Sequence, residues 1–315
     1  MLKDLFQNRI FSTTLMAGML AITALCILKT PDVMILKRIS AHAIQIMILL
    51  LGAGLFFFLM NQKRLLFTAF GCVAALCLHF KRVANINLVQ PVKTSEPTLM
   101  IAQTSTTDLA EHWQTSVESL VQSKADILSI LELTPDWEEL LTNKLAEYYP
   151  YQALNTRIDI FGSAIFSKYP VAKIDTLQLR EVPHLKATIQ LPGMLQTQIY
   201  SFNTNPPLFR TSLLDLRIQL KELSNGIELS NMPCIATGNF NLDQFADEIQ
   251  DFRASTKLLD SRRTMSPSLY TPTNHIFYSK SFACLRFSNL YNTASLRIGI
   301  IGEYQFIKNR EDNTN

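Results

Sequence analysis

The chain has 315 residues, 48% hydrophobic and 17% charged, where an ordinary soluble domain carries roughly 25% charged residues. The deficit is uneven: residues 1–82 hold nine Lys or Arg against Asp4 and Asp32, a balance of +7, while the rest carries −4, giving +3 overall. A uniformly basic nucleic-acid coat and a disordered chain are excluded by these numbers, and a single soluble domain is a poor description.

Three apolar runs fill the first part. Residues 10–28 (IFSTTLMAGMLAITALCIL) and 41–60 (AHAIQIMILLLGAGLFFFLM) carry no charge, and 65–80 (LLFTAFGCVAALCLHF) is shorter but equally uncharged. A bilayer core takes about 20 apolar residues with a lower limit near 17, so the first two pass as spans and the third sits at the limit. Lys or Arg brackets each run, as at headgroups. No small-x-small site precedes Lys29 and more runs follow, so the first reads as a retained anchor rather than a cleaved signal peptide. His42 and His79 fall at run ends, where a wet interfacial histidine is ordinary, and Gly52 and Gly54 permit close helix approach. Three spans put the termini on opposite sides. The flanking Lys and Arg then divide four against five, satisfying the positive-inside rule in neither direction; charge concentrated in the tight 61–64 hairpin favours a large domain outside the cytoplasm.

Residues 83–97 (VANINLVQPVKTSEP) lack helical periodicity and contain two prolines, and so read as a linker. LMIAQTS (99–105) is strand-like, and DLAEHWQTSVESLVQS (108–123) places apolar residues at helical spacing. ADILSILEL (125–133) is an apolar run of buried-strand length, followed by a helix over DWEELLTNKLAEYY (136–149). SAIFSKYPV (163–171), LKATIQL (185–191) and TQIYSFN (197–203) read as strands. SLLDLRIQLKELSNGI (212–227) is a long helix, and PCIATGNF (233–240), HIFYS (275–279) and RIGIIGEYQFI (297–307) are later strands. A polar tail occupies 308–315. This order predicts a layered α/β domain over 98–307. Trp113 and Trp137 fall in helices as packing residues. Cys234 and Cys284 sit in apolar strands, where free buried thiols are commoner than a bridge, although a bridge stays open. No Cys/His spacing suggests zinc.

Five pieces carry a resemblance. ADILSILEL is similar to the "P-D-hydrophobic-L-Q-E" strand of the endonuclease/exonuclease/phosphatase superfamily, metal-dependent phosphodiesterases related to apurinic endonucleases and DNase I. FGSAIFSKYPV (161–171) resembles its "G-x-A-I-L-S-R-x-P" hairpin. FNTNPPLF (202–209) falls where membrane-anchored bacterial members often have "H-P-x-P-P". PCIATGNFN (233–241) resembles "P-v-I-l-x-G-D-F-N", and TNHIFYS (273–279) resembles "x-D-H-I-F-x-S". The resemblance covers about 98–307 in the right order and implies a four-layered, DNase I-like α/β sandwich behind three transmembrane helices. With the apolar runs, it implies a multi-pass bacterial inner-membrane protein with its soluble domain in the periplasm.

The resemblance also assigns roles. The family's Glu at the end of the second strand holds a divalent metal, usually Mg²⁺, and Glu132 stands there; a hard cation wants carboxylate oxygen. The motif that supplies a water-orienting Asp and a phosphate-binding Asn reads Gly238-Asn239-Phe240-Asn241, so Asn241 is kept and the Asp is Asn239. An amide has no basic site for a water proton near neutral pH. Asn203 replaces the His before the double proline, and Asn274 replaces the Asp before His275. The terminal "S-D-H" signature becomes Ser295-Leu296-Arg297. Gln103 falls where the first strand offers an Asn to the metal shell. Asp243 and Glu303 are carboxylates that match no motif.

A water-activating Asp, two His and a His-orienting Asp are thus replaced by Asn, Asn, Arg and Leu, and one such loss cripples hydrolysis. The expected function is a membrane-anchored, inactive phosphodiesterase-like domain acting as a binding or scaffold component. Asn241 and Arg297 are the ligand-binding candidates, Arg297 as a cation for an anionic group. No cofactor is expected, and membrane lipid and a protein partner are the expected partners. The acidic balance of the domain argues against broad nucleic-acid binding. Two alternatives remain: a metal-dependent phosphodiesterase or phosphatase using Mg²⁺ with Glu132, Asn241, His275 and Arg297, or a membrane subunit whose spans carry the function.

Overall fold

The structure is a computed structural model that describes residues 6, 8–30, 32–83, 98–193, 196–230, 232–262 and 272–307. The expected linker beyond Val83 and the 308–315 tail lie outside the described residues. Contacts gather the chain into two compact units, one of residues up to 83 with Gln244–Gln250, the other of the remaining described residues.

The first unit contains α1 (Arg9–Ile27), α2 (Met34–Ser40), α3 (Ala43–Leu59) and α4 (Lys63–Val83). Asn8 caps α1 by accepting from the Ile10 and Phe11 amides at 3.0 and 3.4 Å. Leu65, Ala69, Cys72 and Leu76 form the buried stripe of α4, against Leu50 and Phe57 of α3 and Met19 and Cys26 of α1. Gly54, not Gly52, makes the close approach, since a Cβ there would meet the Phe70 ring at 3.2 Å. The helices stay apolar on their outer faces too, with Ile10, Leu49, Phe58 and Phe67 exposed.

Two helices, α1 and α4, are long and apolar enough to cross a membrane, not the three expected. The second run begins at a 62° bend between α2 and α3; α3 alone is 17 residues long, and a third span exists only if the bent pair is one. Local side-chain bonds compete with the helix at the break: Ser40 Oγ donates to the Lys37 carbonyl at 3.0 Å, and His42 Nδ1 lies 2.7 Å from the Arg38 carbonyl. The third run, shortest in the sequence, qualifies because its flanking Lys63, Arg64, Lys81, Arg82 and Val83 continue the helix to 21 residues.

The second unit stacks two six-stranded sheets with helices outside. Its elements are β1 (Thr98–Ser105), α5 (Thr106–Ala110), α6 (Trp113–Gln122), β2 (Ile127–Leu131), α7 (Pro135–Leu145), β3 (Tyr151–Asn155), β4 (Ser163–Ser167), β5 (Val171–Leu179), β6 (Val182–Gln190), β7 (Gln196–Asn203), α8 (Arg210–Glu228), β8 (Cys234–Asn239), the part of α9 (Asp247–Thr256) from Asp251 on, β9 (Leu259–Asp260), β10 (Asn274–Tyr278), β11 (Phe282–Tyr291) and β12 (Arg297–Phe306). One sheet runs β11-β12-β1-β2-β4-β3, the other β5-β6-β7-β8-β10-β9. The parallel pairs β1–β2 and β7–β8 sit near the middle of each sheet and cross over through helices.

Strands buried on both faces read as continuous apolar runs, as at β2: Ile127 enters the layer between the sheets, while Leu128 and Ile130 pack with Leu120, Leu141 and Leu145 of the helices. The expected single strand over 163–171 is instead β4 and β5, in different sheets. Pro170 stands at the switch; with no N–H it cannot continue a ladder. The expected helix over 108–123 is divided into α5 and α6.

The central pair β7–β8 demands glycine at 238. A Cβ there would lie 1.9 Å from the Phe202 carbonyl oxygen across the ladder. Gly238→Ala is expected to destabilise the second unit by about 3 kcal/mol or more, since a backbone clash cannot relax as an overpacked side chain does. Urea unfolding followed by tryptophan fluorescence checks this, because Trp113 and Trp137 both lie in that unit.

Candidate functional site

Side chains on a strand alternate between faces, and that period builds the site. On β1, Leu99 and Ile101 point between the sheets, and the next residue on that face is Gln103. On β7 the series is Ile199, Ser201, Asn203; on β8 it is Ile235, Thr237, Asn239; on β10, Asn274 precedes Ile276. The layer between the sheets therefore ends at this rim in four amides. Deeper in the layer, Ser129 and Ser201 bond across the sheets at 2.7 Å.

The amides bond to one another. Asn274 Nδ2 donates to Gln103 Oε1 at 3.0 Å, joining the two sheets. Asn239 Nδ2 donates to Asn241 Oδ1 at 3.2 Å, and the Asn241 amide returns a bond to Asn239 Oδ1 at 3.1 Å. Asn241 Nδ2 reaches the Thr204 carbonyl at 2.7 Å and Asn203 Oδ1 at 3.4 Å. Asn203 Nδ2 donates to the Ile160 carbonyl at 2.8 Å. Thr273 Oγ1 also bonds to Asn239 Oδ1, at 2.9 Å. Asn241 has φ +53°, a left-handed turn that asparagine tolerates better than most residues.

Glu132 follows β2 at the same rim with φ +62°, a conformation roughly 1–2 kcal/mol dearer for a residue with a Cβ than for glycine. Thr106 Oγ1 donates to its carbonyl at 2.7 Å and Thr107 Oγ1 to its carboxylate at 2.5 Å. Arg297 opens β12 beside the end of β1, where Thr104 Oγ1 bonds the Ile298 carbonyl. Its Nε donates to Asn289 Oδ1 on β11 at 3.2 Å, while Nη2 is buried without a hydrogen bond. Leu296 is a turn residue: its amide donates to Asn292 Oδ1 at 3.0 Å and its carbonyl accepts from the Asn292 amide at 2.9 Å.

His275 faces the other way, as the alternation from Asn274 requires. Its ring stacks on Phe277 at 5.1 Å and meets Phe240 edge-on at 5.4 Å, fully buried. Nε2 donates to the Leu242 carbonyl at 2.9 Å, and Nδ1 lies 3.6 Å from the Asp260 carboxylate. Burial opposes ionisation of Asp260, but His275, the Arg262 amide and the Arg262 charge outweigh it and hold that carboxyl below its usual range. Glu303 opposes Met100 at the far end of β1 and pairs with Arg286 at 3.5 Å. Asp243 is buried two residues beyond Asn241. Cys234 and Cys284 are both free and buried, with burial pushing the Cys234 thiol up to about 12.

The motifs therefore located the amides, and the structure adds Thr107, Thr204, Thr273 and Asp260. The two threonines flanking the Asn motifs, Thr204 and Thr273, were within sight of that reading; Asp260 had no motif to flag it. The divalent metal of related proteins does not fit these side chains. The amide oxygens of Gln103, Asn239 and Asn241 already receive N–H or O–H donors. Among the described residues no group of three or more His, Cys, Asp or Glu is placed to hold a metal.

Two mixed sheets stacked face to face, with polar residues gathered where central strands end, define a DNase I-like α/β fold. The chain belongs to the endonuclease/exonuclease/phosphatase family, whose sequence model matches residues 102–295. A family protein from Bacteroides thetaiotaomicron is similar in structure with a TM-score of 0.57 at 13% identity, over 70% of this chain and 99% of its own. A mannosyl-6-phosphatase from that species gives 0.52 at 13%, over 67% and 100%. The human Nocturnin catalytic domain gives 0.52 at 14%, over 67% and 96%. These likenesses establish the fold. No curated protein matches the chain by sequence.

Proposed function

We propose that this chain is a membrane-anchored family member whose phosphodiesterase-like domain binds without hydrolysing, as a binding or scaffold component. The observation that carries the reading is the mutual bonding of the rim amides, Gln103 with Asn274 and Asn241 with Asn239 and Asn203. Those groups neither take a proton from water nor carry the charge that draws a cation. What they offer is neutral hydrogen bonding, with the Glu132 carboxylate after β2 at the same rim and Arg297 at the start of β12. Asn241 and Arg297 are the ligand-binding residues of this reading, and α1 and α4 its anchor.

Full-length protein in detergent, given bis(p-nitrophenyl) phosphate with Mg²⁺ or Mn²⁺, is expected to show no turnover above buffer. Removing one member of a hydrolytic triad costs about four powers of ten or more, and here several are absent together. Turnover abolished by Glu132→Ala would overturn the proposal in favour of a metal-dependent phosphodiesterase.

A further inference from the structure

Residues Gln244–Gln250 belong to the first unit, although the chain on either side of them belongs to the second. Three attachments hold them there. Lys37 Nζ on α2 donates to Glu248 Oε1 at 2.9 Å and lies 3.6 Å from Asp247 Oδ2. The Thr30 amide, just past α1, donates to Asp247 Oδ2 at 2.9 Å. In the last turn of α4 the Phe80 ring meets Phe245, with centroids 4.7 Å apart. The segment is also closed on itself: Gln250 Nε2 donates to the Gln244 carbonyl, and the Ala246 carbonyl accepts the Ile249 and Gln250 amides at 3.0 Å.

The ion pair is desolvated, the side chains of Lys37 and Glu248 being 12% and 5% exposed. Salt therefore screens it little, and removing Lys37 takes from Glu248 the cation that offsets its burial. Such a pair selects one arrangement of the segment. The segment begins three residues after Asn241, with Leu242 and Asp243 between. The Leu242 carbonyl accepts from His275 Nε2, so the slack is small. Asn241 itself stands at φ +53°. That left-handed well is narrow, and a residue in it answers a pull by leaving the well rather than by bending within it. Leaving would undo the bonds from Asn241 to Asn239, Thr204 and Asn203.

We infer that Gln244–Gln250 is a strap through which the helices of the first unit govern the loop carrying Asn241. With Lys37 on Glu248 the strap is clasped, and Asn241 is kept in its left-handed turn. With the clasp released, that turn opens and the amides it joins come apart. This rests on the reading of the amides as the binding site. Lys37 is a positioning residue, acting on Asn241 through Glu248 and the strap. Coupling of this kind is reciprocal: a ligand that prefers the closed loop tightens the clasp by the factor that the clasp adds to its own affinity.

The test is hydrogen exchange of full-length protein in lipid nanodiscs. The readout is the amides of Phe240 and Asn241, which donate to the Thr273 carbonyl and to Asn239 Oδ1. Lys37→Met is expected to speed their exchange about fivefold or more, together with that of 244–250, while β2 keeps the parent rate. Arg38→Met, a change at the neighbouring exposed residue of α2, is expected to move neither. Adding Glu248→Leu to Lys37→Met replaces the whole pair by apolar groups, and is expected to bring both segments back to within about twofold of the parent. Faster exchange in 244–250 with Phe240 and Asn241 unmoved overturns the strap. No change in either segment overturns the clasp. An equal rise in β2 means general loosening, and failure of the double variant to recover means lost packing at Lys37; each overturns the inference. Turnover plays no part in these measurements, so hydrolysis of a phosphodiester would overturn the proposed function and leave the strap standing.

Discussion

Asp260→Ala is expected to cost the second unit about 1–3 kcal/mol, the range for leaving buried donors without their acceptor. The carboxylate is 3% exposed and lies 3.6 Å from His275 Nδ1, while accepting from the Arg262 amide at 2.9 Å. Truncation removes the acceptor of the Arg262 amide and opens a space beside the imidazole, which packs on the rings of Phe240 and Phe277. The effect reaches the amide network because His275 Nε2 also holds the Leu242 carbonyl, one residue past Asn241. Hydrogen exchange of the residues just after Asn241 is therefore expected to accelerate more in Asp260→Ala than elsewhere in the unit. Asp260→Asn keeps the volume and an acceptor for the Arg262 amide, and is expected to lose about half as much. Urea midpoints from tryptophan fluorescence measure both variants. A loss under about 1 kcal/mol in Asp260→Ala would show that the pair supports nothing.

That coupling recasts His275. Its place in a motif suggested chemistry at the cleft, but the period-two geometry of β10 already excluded it. If Asn274 faces the layer between the sheets and reaches Gln103, its neighbour must face the opposite side, under Phe240 and Phe277. His275 is a brace for the loop that carries Asn241.

The same distinction separates what was legible in the sequence from what was not. Five motifs in family order gave the fold because each marks a place where a central strand ends, and strand ends dictate residue type through turns and close approaches, as at Gly238 and Asn241. β3, β5 and β11 are all edge strands, whose patterns are the least regular. β5 exposes Ala172, Lys173 and Ile174 in succession and so shows neither a buried run nor a clean alternation. α9 was missed too, its short sequence being mostly polar. At the N-terminus, counting apolar residues could not see the bend at Ala41–His42, which depends on two side-chain bonds rather than on hydropathy.

The site divides likewise. Asn203, Asn239, Asn241 and Asn274 follow from local motifs, and they meet because neighbouring strands bring their ends together. Arg297 depends on the β11–β12 turn, whose Asn292-centred bonds are invisible to a motif, and its Nε turns to Asn289. Thr107, which holds Glu132, comes from a separate element 25 residues earlier. Only tertiary pairing puts it there.

Acidification from pH 7 to pH 4 is expected to remove about 3 kcal/mol from the stability of the second unit, largely through His184 on β6. Burial holds its imidazole down to about 4, against an ordinary 6.5, and its Nε2 has no hydrogen-bond partner. The ring instead meets Phe202 edge-on at 5.9 Å. A folded-state value below the unfolded one means that the unfolded chain binds the proton first. The stability from a neutral His184 is thus fully present above pH 6.5 and drains away as pH falls from 6.5 towards 4, at about 1.4 kcal/mol per pH unit. Asp260 adds to the same slope further down, because its depressed carboxyl contributes stability that disappears below the ordinary value of 3.8. His184→Leu removes the titration and the orphaned nitrogen together, and is expected to flatten the profile between pH 6.5 and 4 while leaving the steeper loss below it. Urea midpoints at pH 7, 5.5 and 4 decide the matter: a variant that loses as much as the parent over that window would exclude His184 as the cause. The loss is a large share of the roughly 5–15 kcal/mol that holds an ordinary domain folded, so acid is expected to unfold this unit through its core before it touches the amides at the rim, which have no proton to gain.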